Sequence, residues 1–376
     1  MTGLDRLIEF DVQSGVLRAE AGAPLTSLLQ LIVPHGWFLP TVPGTRYVTL
    51  GGAIGNDVHG KNHHRAGSFG RHVRRLGLLR TDGQRHELSP DDASGLFAAT
   101  IGGLGLTGIV EWAEVQLVRI ASAFLDVETR PFASLDEFWA CNDESVASHE
   151  HTVAWIDCVS TGARFGRGIY SRGDWRGDGE LTSHGDASWK TVPVDAPSFA
   201  LSGFSVRAFN ELYYGANRMS AGRSRQHYAP FFFPLDAIGH WNRLYGRRGM
   251  YQYQCVLPPN AAREGIATML DAITRSGQAS FLAVLKTFGE LASPGLLSFP
   301  RPGATLALDF PNRGADTARL LERLDAIVAD AAGALYPAKD GRLPAAMFDR
   351  SFPAWRDFSR FKDPNMQSDF WNRVSQ

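Results

Sequence analysis

Five of the eleven histidines (His59, His63, His64, His72 and His86) fall within 28 residues, and Lys61 stands among them. Such a cluster suits proton transfer, hydrogen bonding to a ligand, or metal binding. The HxxxHH spacing carries no acidic partner and no helical register of the HExxH kind, so no metal is expected, and hydrogen-bonding histidines are the plainer reading. Glycines at 44, 51, 52, 55 and 60 run through the same stretch, Pro43 to His64. Bare backbone lets N–H groups approach a phosphate or a flat ring system. The stretch matches neither the P-loop nor GxGxxG. A backbone-lined cofactor site and a turn-rich connection both satisfy it. A second cluster, Gly102-Gly103-Leu104-Gly105-Leu106-Thr107-Gly108-Ile109, would bring another backbone segment against the same ligand.

These segments need elements to hold them. Before them, Gly15 to Glu20 alternates as a strand, and Leu25, Leu28, Leu29 and Ile32 predict a helix over 24–33, stopped by Pro34 and capped by Gly36. Past residue 250 the pattern reads β-α-β-β-α-β: a strand over 250–257, a helix capped by Asn260 and ending at Gly277, strands over 281–288 and 304–310, a helix ending at Gly333, and a strand at Leu335-Tyr336. Alternation turns Leu306, Leu308 and Phe310 to the helices, and Thr305 and Ala307 to the other face together with Gln252, Gln254 and Lys286. Two amides, a lysine and small residues suit a polar ligand, and equally suit a merely solvated face. Between 122 and 250 the sequence supports strands such as 152–158 and a mobile loop from Arg172 to His184, without a topology.

Lys plus Arg number 38 and Asp plus Glu 39, so charge gives no reason to expect nucleic acid. Cys141, Cys158 and Cys255 are widely spaced and fit a reduced compartment. No run approaches the ~18 apolar residues of a spanning helix. A cytoplasmic protein is expected, with peripheral membrane contact compatible.

The run Val42-Pro43-Gly44-Thr45, Val48-Thr49-Leu50-Gly51-Gly52-Ala53, Val58-His59-Gly60-Lys61-Asn62-His63-His64 and Ala66-Gly67-Ser68-Phe69-Gly70 strongly resembles the decaprenylphosphoryl-β-D-ribose 2′-oxidase family, flavoproteins of the vanillyl-alcohol oxidase type. The similarity continues in order through Gly105 to Ile109, Ala154-Trp155-Ile156-Asp157, Tyr253-Gln254, Lys286, Asp309-Phe310-Pro311 and Tyr336-Pro337-Ala338-Lys339-Asp340.

The resemblance implies an α+β fold: an FAD-binding domain over 1–121, a substrate domain over 122–333 with an antiparallel sheet backed by helices, and a C-terminal segment over 334–376 returning to the first. It implies non-covalent FAD contacted by Gly44, Thr49, Leu50, Gly51, Gly52, Asn56, Asp57, Val58, His59, Ile109 and Tyr336. Lys61, Gln254 and Lys286, with Thr305 and Ala307 on the same sheet face, would bind substrate, and Lys339 or His59 would be the base. The expected reaction takes a secondary alcohol of a polyprenyl-phosphate pentose to a ketone, with a short-chain reductase completing an epimerisation. An aldonolactone or other sugar-alcohol oxidase is the alternative within the superfamily, and a non-catalytic remnant of the fold the alternative outside it.

Three departures qualify the match. Family members carry a glycine-rich pyrophosphate loop upstream of where Met1-Thr2-Gly3-Leu4 aligns, so the FAD-binding domain is expected to be N-terminally incomplete and to retain little flavin. Ala307 stands where some members have the cysteine attacked by nitroaromatic inhibitors. Tyr213 and Phe232 stand where a Trp and a Tyr are familiar.

Overall fold

The computed structural model describes residues 3–185, 190–197, 201, 203–339 and 341–376; Met1, Thr2 and Asp340 of the motifs above lie outside them. The first sheet contains β1 (Leu7–Asp11), β2 (Val16–Glu20), β3 (Val73–Leu79), β4 (Arg85–Leu88) and β5 (Ile109–Gln116) in the order β1-β2-β5-β3-β4. Helix α1 (Leu25–Ile32) buries the four apolar residues that predicted it. Pro34 does not end the chain's coiling outright: it enters a 3₁₀ turn, and Gly36 closes that turn with φ +77°. The glycine-rich run forms the short helix α2 (Leu50–Gly55), capped by the Thr49 hydroxyl accepting from the Gly52 N–H.

The second sheet has eight strands. In chain order they are β6 (Phe124–Phe132), β7 (His151–Ile156), β8 (Gly168–Trp175), β9 (Gly222–His227), β10 (Met250–Leu257), β11 (Ala283–Phe288), β12 (Gly303–Pro311) and β13 (Ala334–Leu335). They line up as β9-β6-β8-β7-β11-β12-β10-β13, every neighbouring pair antiparallel. The last four strands, with α5 (Pro259–Ser276) and α6 (Ala315–Asp330), are the β-α-β-β-α-β unit. The middle region adds four strands to its β11 edge and contributes α3 (Leu135–Ser148) and α4 (Gly203–Met219).

Leu306, Leu308, Phe310 and Cys255 are buried against Ile266, Met269, Leu270, Ile273, Leu320 and Leu324 of the two helices, as alternation requires. Withdrawal of this apolar layer from water holds the helices to the sheet.

Three local expectations are corrected. Arg172 to Trp175 is not loop but the end of β8, where Arg172 is neutralised across the sheet by Glu128 and by Glu144 of α3. Helix α5 is preceded by Pro258 and starts at Pro259, not at an Asn260 cap, since a fixed φ suits the first turn. After α6, Ala332 and not Gly333 takes the left-handed position, at φ +53°.

Tyr228 to Phe233 lie far along the chain yet pack in the core of the first sheet with Phe38 and Leu125. The C-terminal segment divides its packing: Phe348 and Trp371 join the helical core, whereas the Asp363 carboxylate binds the Thr81 N–H of the first sheet at 2.8 Å.

Candidate functional site

The two sheets meet at residues 56–61. Asp57 sits at φ +40°, a backbone position unusual for a residue with a side chain. Its buried carboxylate explains how the turn is held, accepting from the Gly70 N–H at 2.7 Å and the Ser298 hydroxyl at 2.6 Å. The turn delivers His59 onto the face of β10, β11 and β12 that points away from the helices, and sets Lys61 beside β7, where its carbonyl accepts from the Thr152 N–H at 2.9 Å.

On that face His59 is the hub. Its Nδ1 lies 2.9 Å from Lys286 Nζ, and its Nε2 lies 3.0 Å from the Gln254 side-chain amide. Gln254 also reaches the Thr305 hydroxyl at 3.0 Å, and Lys286 donates to the Gly60 carbonyl at 2.7 Å. Ala307 lies in register between Gln254 and Val284, and Lys286 opposite Thr305. Aromatic rings wall the hub: Phe288 at 4.8 Å and Tyr336 at 5.5 Å from the imidazole, with Tyr336 stacked on Phe299. Lys61 donates to the Phe231 carbonyl and lies 4.5 Å from the Phe231 ring centre. Lys339 donates to Gln252 Oε1 at 3.1 Å, and Gln252 donates on to Asp309 at 3.2 Å.

Gln254, Lys286 and Thr305 are buried, which excludes the solvated-face reading. Burial lowers the pKa of Lys61 to about 7. Burial, with the Lys61 charge added, does the same to Lys286. Lys339 is also lowered by burial, with Asp309 pulling it back up. Burial pushes Asp309 itself up to about 6. His59 is driven well below its ordinary range by burial and then by Lys286, so its imidazole is neutral. A neutral imidazole has one N–H and one acceptor nitrogen, so it accepts from only one of its two neighbours, Lys286 Nζ at Nδ1 or the Gln254 amide nitrogen at Nε2. Among the described residues, neither Lys61 nor Lys286 has a carboxylate within ion-pair distance. Buried Lys286 and half-buried Lys61, without counter-ions among the described residues, make the site one that would gain from an anion.

The glycine segments touch one another: the Gly102 N–H donates to Ile54 O at 2.9 Å and the Leu104 N–H to Gly55 O at 2.8 Å. Gly105, at φ +74°, and Gly44 face open space where a Cβ would meet nothing within 4 Å. A bare, backbone-lined surface ending in a cationic cluster fits a flat, electron-accepting ring system such as FAD. Thr49, Leu50, Gly51 and Gly52 form the first turn of α2, with the Gly51 N–H bound to Ala21 O at 2.7 Å. Asn56 caps that helix and accepts at its carbonyl from the Tyr336 hydroxyl at 3.3 Å. Val58 is buried beside it, whereas Ile109 opens β5 opposite Leu79, outside the lysine network.

Sequence reading passed over Asp309 and Phe288 as site residues, although i+2 spacing from Ala307 and Lys286 puts them on the same face. The other histidines serve structure: His64 Nε2 meets His149 O and His72 Nε2 meets Ala66 O, each at 2.9 Å. Among the described residues no three His, Cys, Asp or Glu side chains are grouped to hold a metal.

An α+β chain with a glycine-lined first domain and an antiparallel sheet closing over it has the FAD-binding fold of the vanillyl-alcohol oxidase type. The FAD binding domain family matches residues 1–89. Decaprenylphosphoryl-beta-D-ribose oxidase of Mycolicibacterium smegmatis is 38% identical over 379 residues, covering 97% of this chain and 81% of its own. A Streptomyces coelicolor protein described as an uncharacterized protein in the mprA 5′ region is 33% identical over 355 residues, 90% of this chain and 94% of its own. L-gulonolactone oxidase of Mus musculus is 30% identical over 120 residues, 31% of this chain and 27% of its own. The chain belongs to the decaprenylphosphoryl-β-D-ribose oxidase family.

Proposed function

We propose that this protein is an FAD-dependent oxidoreductase that converts the 2′-hydroxyl of a polyprenyl-phosphate pentose to a ketone. The observation that carries this reading is the pair of lysines with no carboxylate partner among the described residues, the half-buried Lys61 and the buried Lys286. A phosphate supplies the charge they lack and accepts their hydrogen bonds. FAD, held non-covalently by the glycine-lined surface and residues 49–59, supplies the hydride acceptor when bound.

Lys339 takes or polarises the hydroxyl proton at Nζ. Its lowered pKa frees the lone pair nearer neutrality, while Gln252 and Asp309 fix its position. His59, the other candidate base, is held so far below its ordinary pKa that it is a weak one; it orients Lys286 and Gln254 instead. Gln254, Thr305 and Ala307 shape the sugar side of the site. The domain limits at 121/122 and 333/334 follow the resemblance and belong to the same reading, as do a cytoplasmic location with peripheral membrane contact and a short-chain reductase that consumes the ketone. No described helix is long and apolar enough to cross a membrane.

An aldonolactone oxidase is the second reading, favoured by the L-gulonolactone oxidase similarity. A neutral lactone would leave both lysines uncompensated. A non-catalytic remnant would have no use for them either. The deciding experiment is anaerobic loss of flavin colour in the FAD-loaded protein, with a phosphorylated polyprenyl pentose and an aldonolactone at equal concentration. The phosphorylated donor should react faster; faster bleaching by the lactone would sink the proposal, and no bleaching by either would favour the remnant.

A further inference from the structure

Helix α4 (Gly203–Met219) buries Val206 in the core and yet carries a second apolar stripe on its outward face. Its inward face includes the fully buried Asn210, whose amide donates to the Asp157 carboxylate at 2.7 Å beside Arg167. Its outward face carries Phe204, Ala208, Leu212, Gly215 and Met219, spaced so that they share one stripe. Phe204 is 83% exposed, Leu212 74% and Met219 89%. One flank of the stripe holds Arg207 and Arg218, which have no ion pair among the described residues, with Glu211 between them already neutralised by Arg164 and Arg167. The other flank leads inward. Phe209 stacks on Tyr213 at 5.8 Å, and Tyr213 packs on Trp155 at 4.8 Å. Trp155 is in register with Val284, Val284 with Ala307, and Ala307 with Gln254. Residues paired across a sheet share a face, so one row runs from the site to the helix.

We propose that α4 docks this protein on an anionic lipid bilayer. The apolar stripe lies at the headgroup boundary, Arg207 and Arg218 face lipid phosphates, and the Tyr213–Trp155–Val284–Ala307 row conducts the polyprenyl tail between bilayer and site. The inference rests on the polyprenyl-phosphate reading in one respect: such a substrate keeps its tail in the bilayer, so the enzyme must come to it. The free arginines and the continuity of the row with the site favour a bilayer over a second protein.

The test is co-sedimentation of the full chain with vesicles of phosphatidylcholine alone or with phosphatidylglycerol. The chain should bind the anionic vesicles. The triple substitution Phe204→Ser, Leu212→Ser, Met219→Ser should weaken binding by roughly 100-fold, given three side chains withdrawn from an apolar phase. Arg207→Glu with Arg218→Glu should abolish the preference for anionic lipid. Unchanged far-ultraviolet circular dichroism and thermal midpoint would show that both variants fold. Equal vesicle binding by the parent chain and the triple variant, or no binding by the parent, overturns the proposal. So does a dimer of the parent that the triple variant dissolves without any change in vesicle binding. Oxidation of a short-tailed, water-soluble phosphorylated pentose reports the functional reading separately: its failure alongside intact, stripe-dependent vesicle binding would remove that reading and leave the docking surface in place.

Discussion

Around one sheet, two groups of cations largely withdrawn from water are treated in opposite ways. Beside β7 and β8, Arg167 binds the Asp157 carboxylate at 2.8 Å, and Arg172 is held between Glu128 at 2.9 Å and Glu144 at 2.7 Å. On β11 and in the turn over residues 56–61, Lys286 and Lys61 meet carbonyls, an imidazole and a phenyl ring instead. The arginine group is complete in itself, and Asn210 satisfies the carboxylate oxygen Arg167 leaves over. The lysine group is complete only with something added. A lysine whose pKa is lowered to about 7 weighs against the folded state by about 5 kcal/mol wherever it is charged. The folded state holds fewer protons than the unfolded one between about 7 and the ordinary lysine value, so this cost is full below about 7 and fades as pH rises above it. Charge retained at such a cost marks a ligand site, while paired charge marks architecture.

The comparison can be broken most severely at the reacting proton. Lys339→Met should leave flavin bound while cutting the anaerobic reduction rate by ~2–4 decades. A near-normal rate would hand the base to another group.

Next in size is a paired experiment on the two cation groups. Arg167→Met strands the Asp157 carboxylate and should destabilise the fold by about 3–5 kcal/mol in urea titration. Lys61→Met with Lys286→Met should cost no stability at pH 7, and should lower kcat/KM for the phosphorylated donor by roughly 100-fold while sparing a neutral donor. Equal destabilisation by both would erase the distinction between them.

A smaller effect comes from pH. The free lysines lose their protons above about 7, so kcat/KM for the phosphorylated donor should fall with rising pH, by up to about tenfold per pH unit for each lysine. A neutral donor should show no such descending limb. A flat profile for both donors would mean that the lysines do not bind the phosphate.

The smallest effect belongs to Asp309. Its carboxylate, ionised above about 6, holds the proton on Lys339. Asp309→Asn should therefore lower the Lys339 pKa and move the acid limb of kcat to lower pH, with under roughly tenfold change at the optimum. An acid limb that stays where it was would detach Asp309 from the base.

The β-α-β-β-α-β unit was legible because it rests on local rules. Alternation in 304–310 and 250–257 separates Leu306 and Cys255, which meet helices, from Gln254, which meets His59, and Thr305, which meets Gln254. The glycine-rich run was legible as bare backbone for the same reason. What local rules misjudge is compensation from far away. Arg172 to Trp175 reads as loop until Glu128 and Glu144 are brought beside it; the Asn260 cap, by contrast, is a local misreading, since the adjacent Pro259 begins the helix.

By itself, then, the sequence determined which side chains share a strand face and where backbone lies bare, since both follow from periodicity and the absence of Cβ atoms. Tertiary structure alone decided that His59 would join Lys286 across 227 residues, that this face would be buried rather than wet, and that two lysines would lie there without carboxylates. Desolvation and charge compensation depend on what surrounds a group in three dimensions, and no spacing along the chain encodes that environment locally.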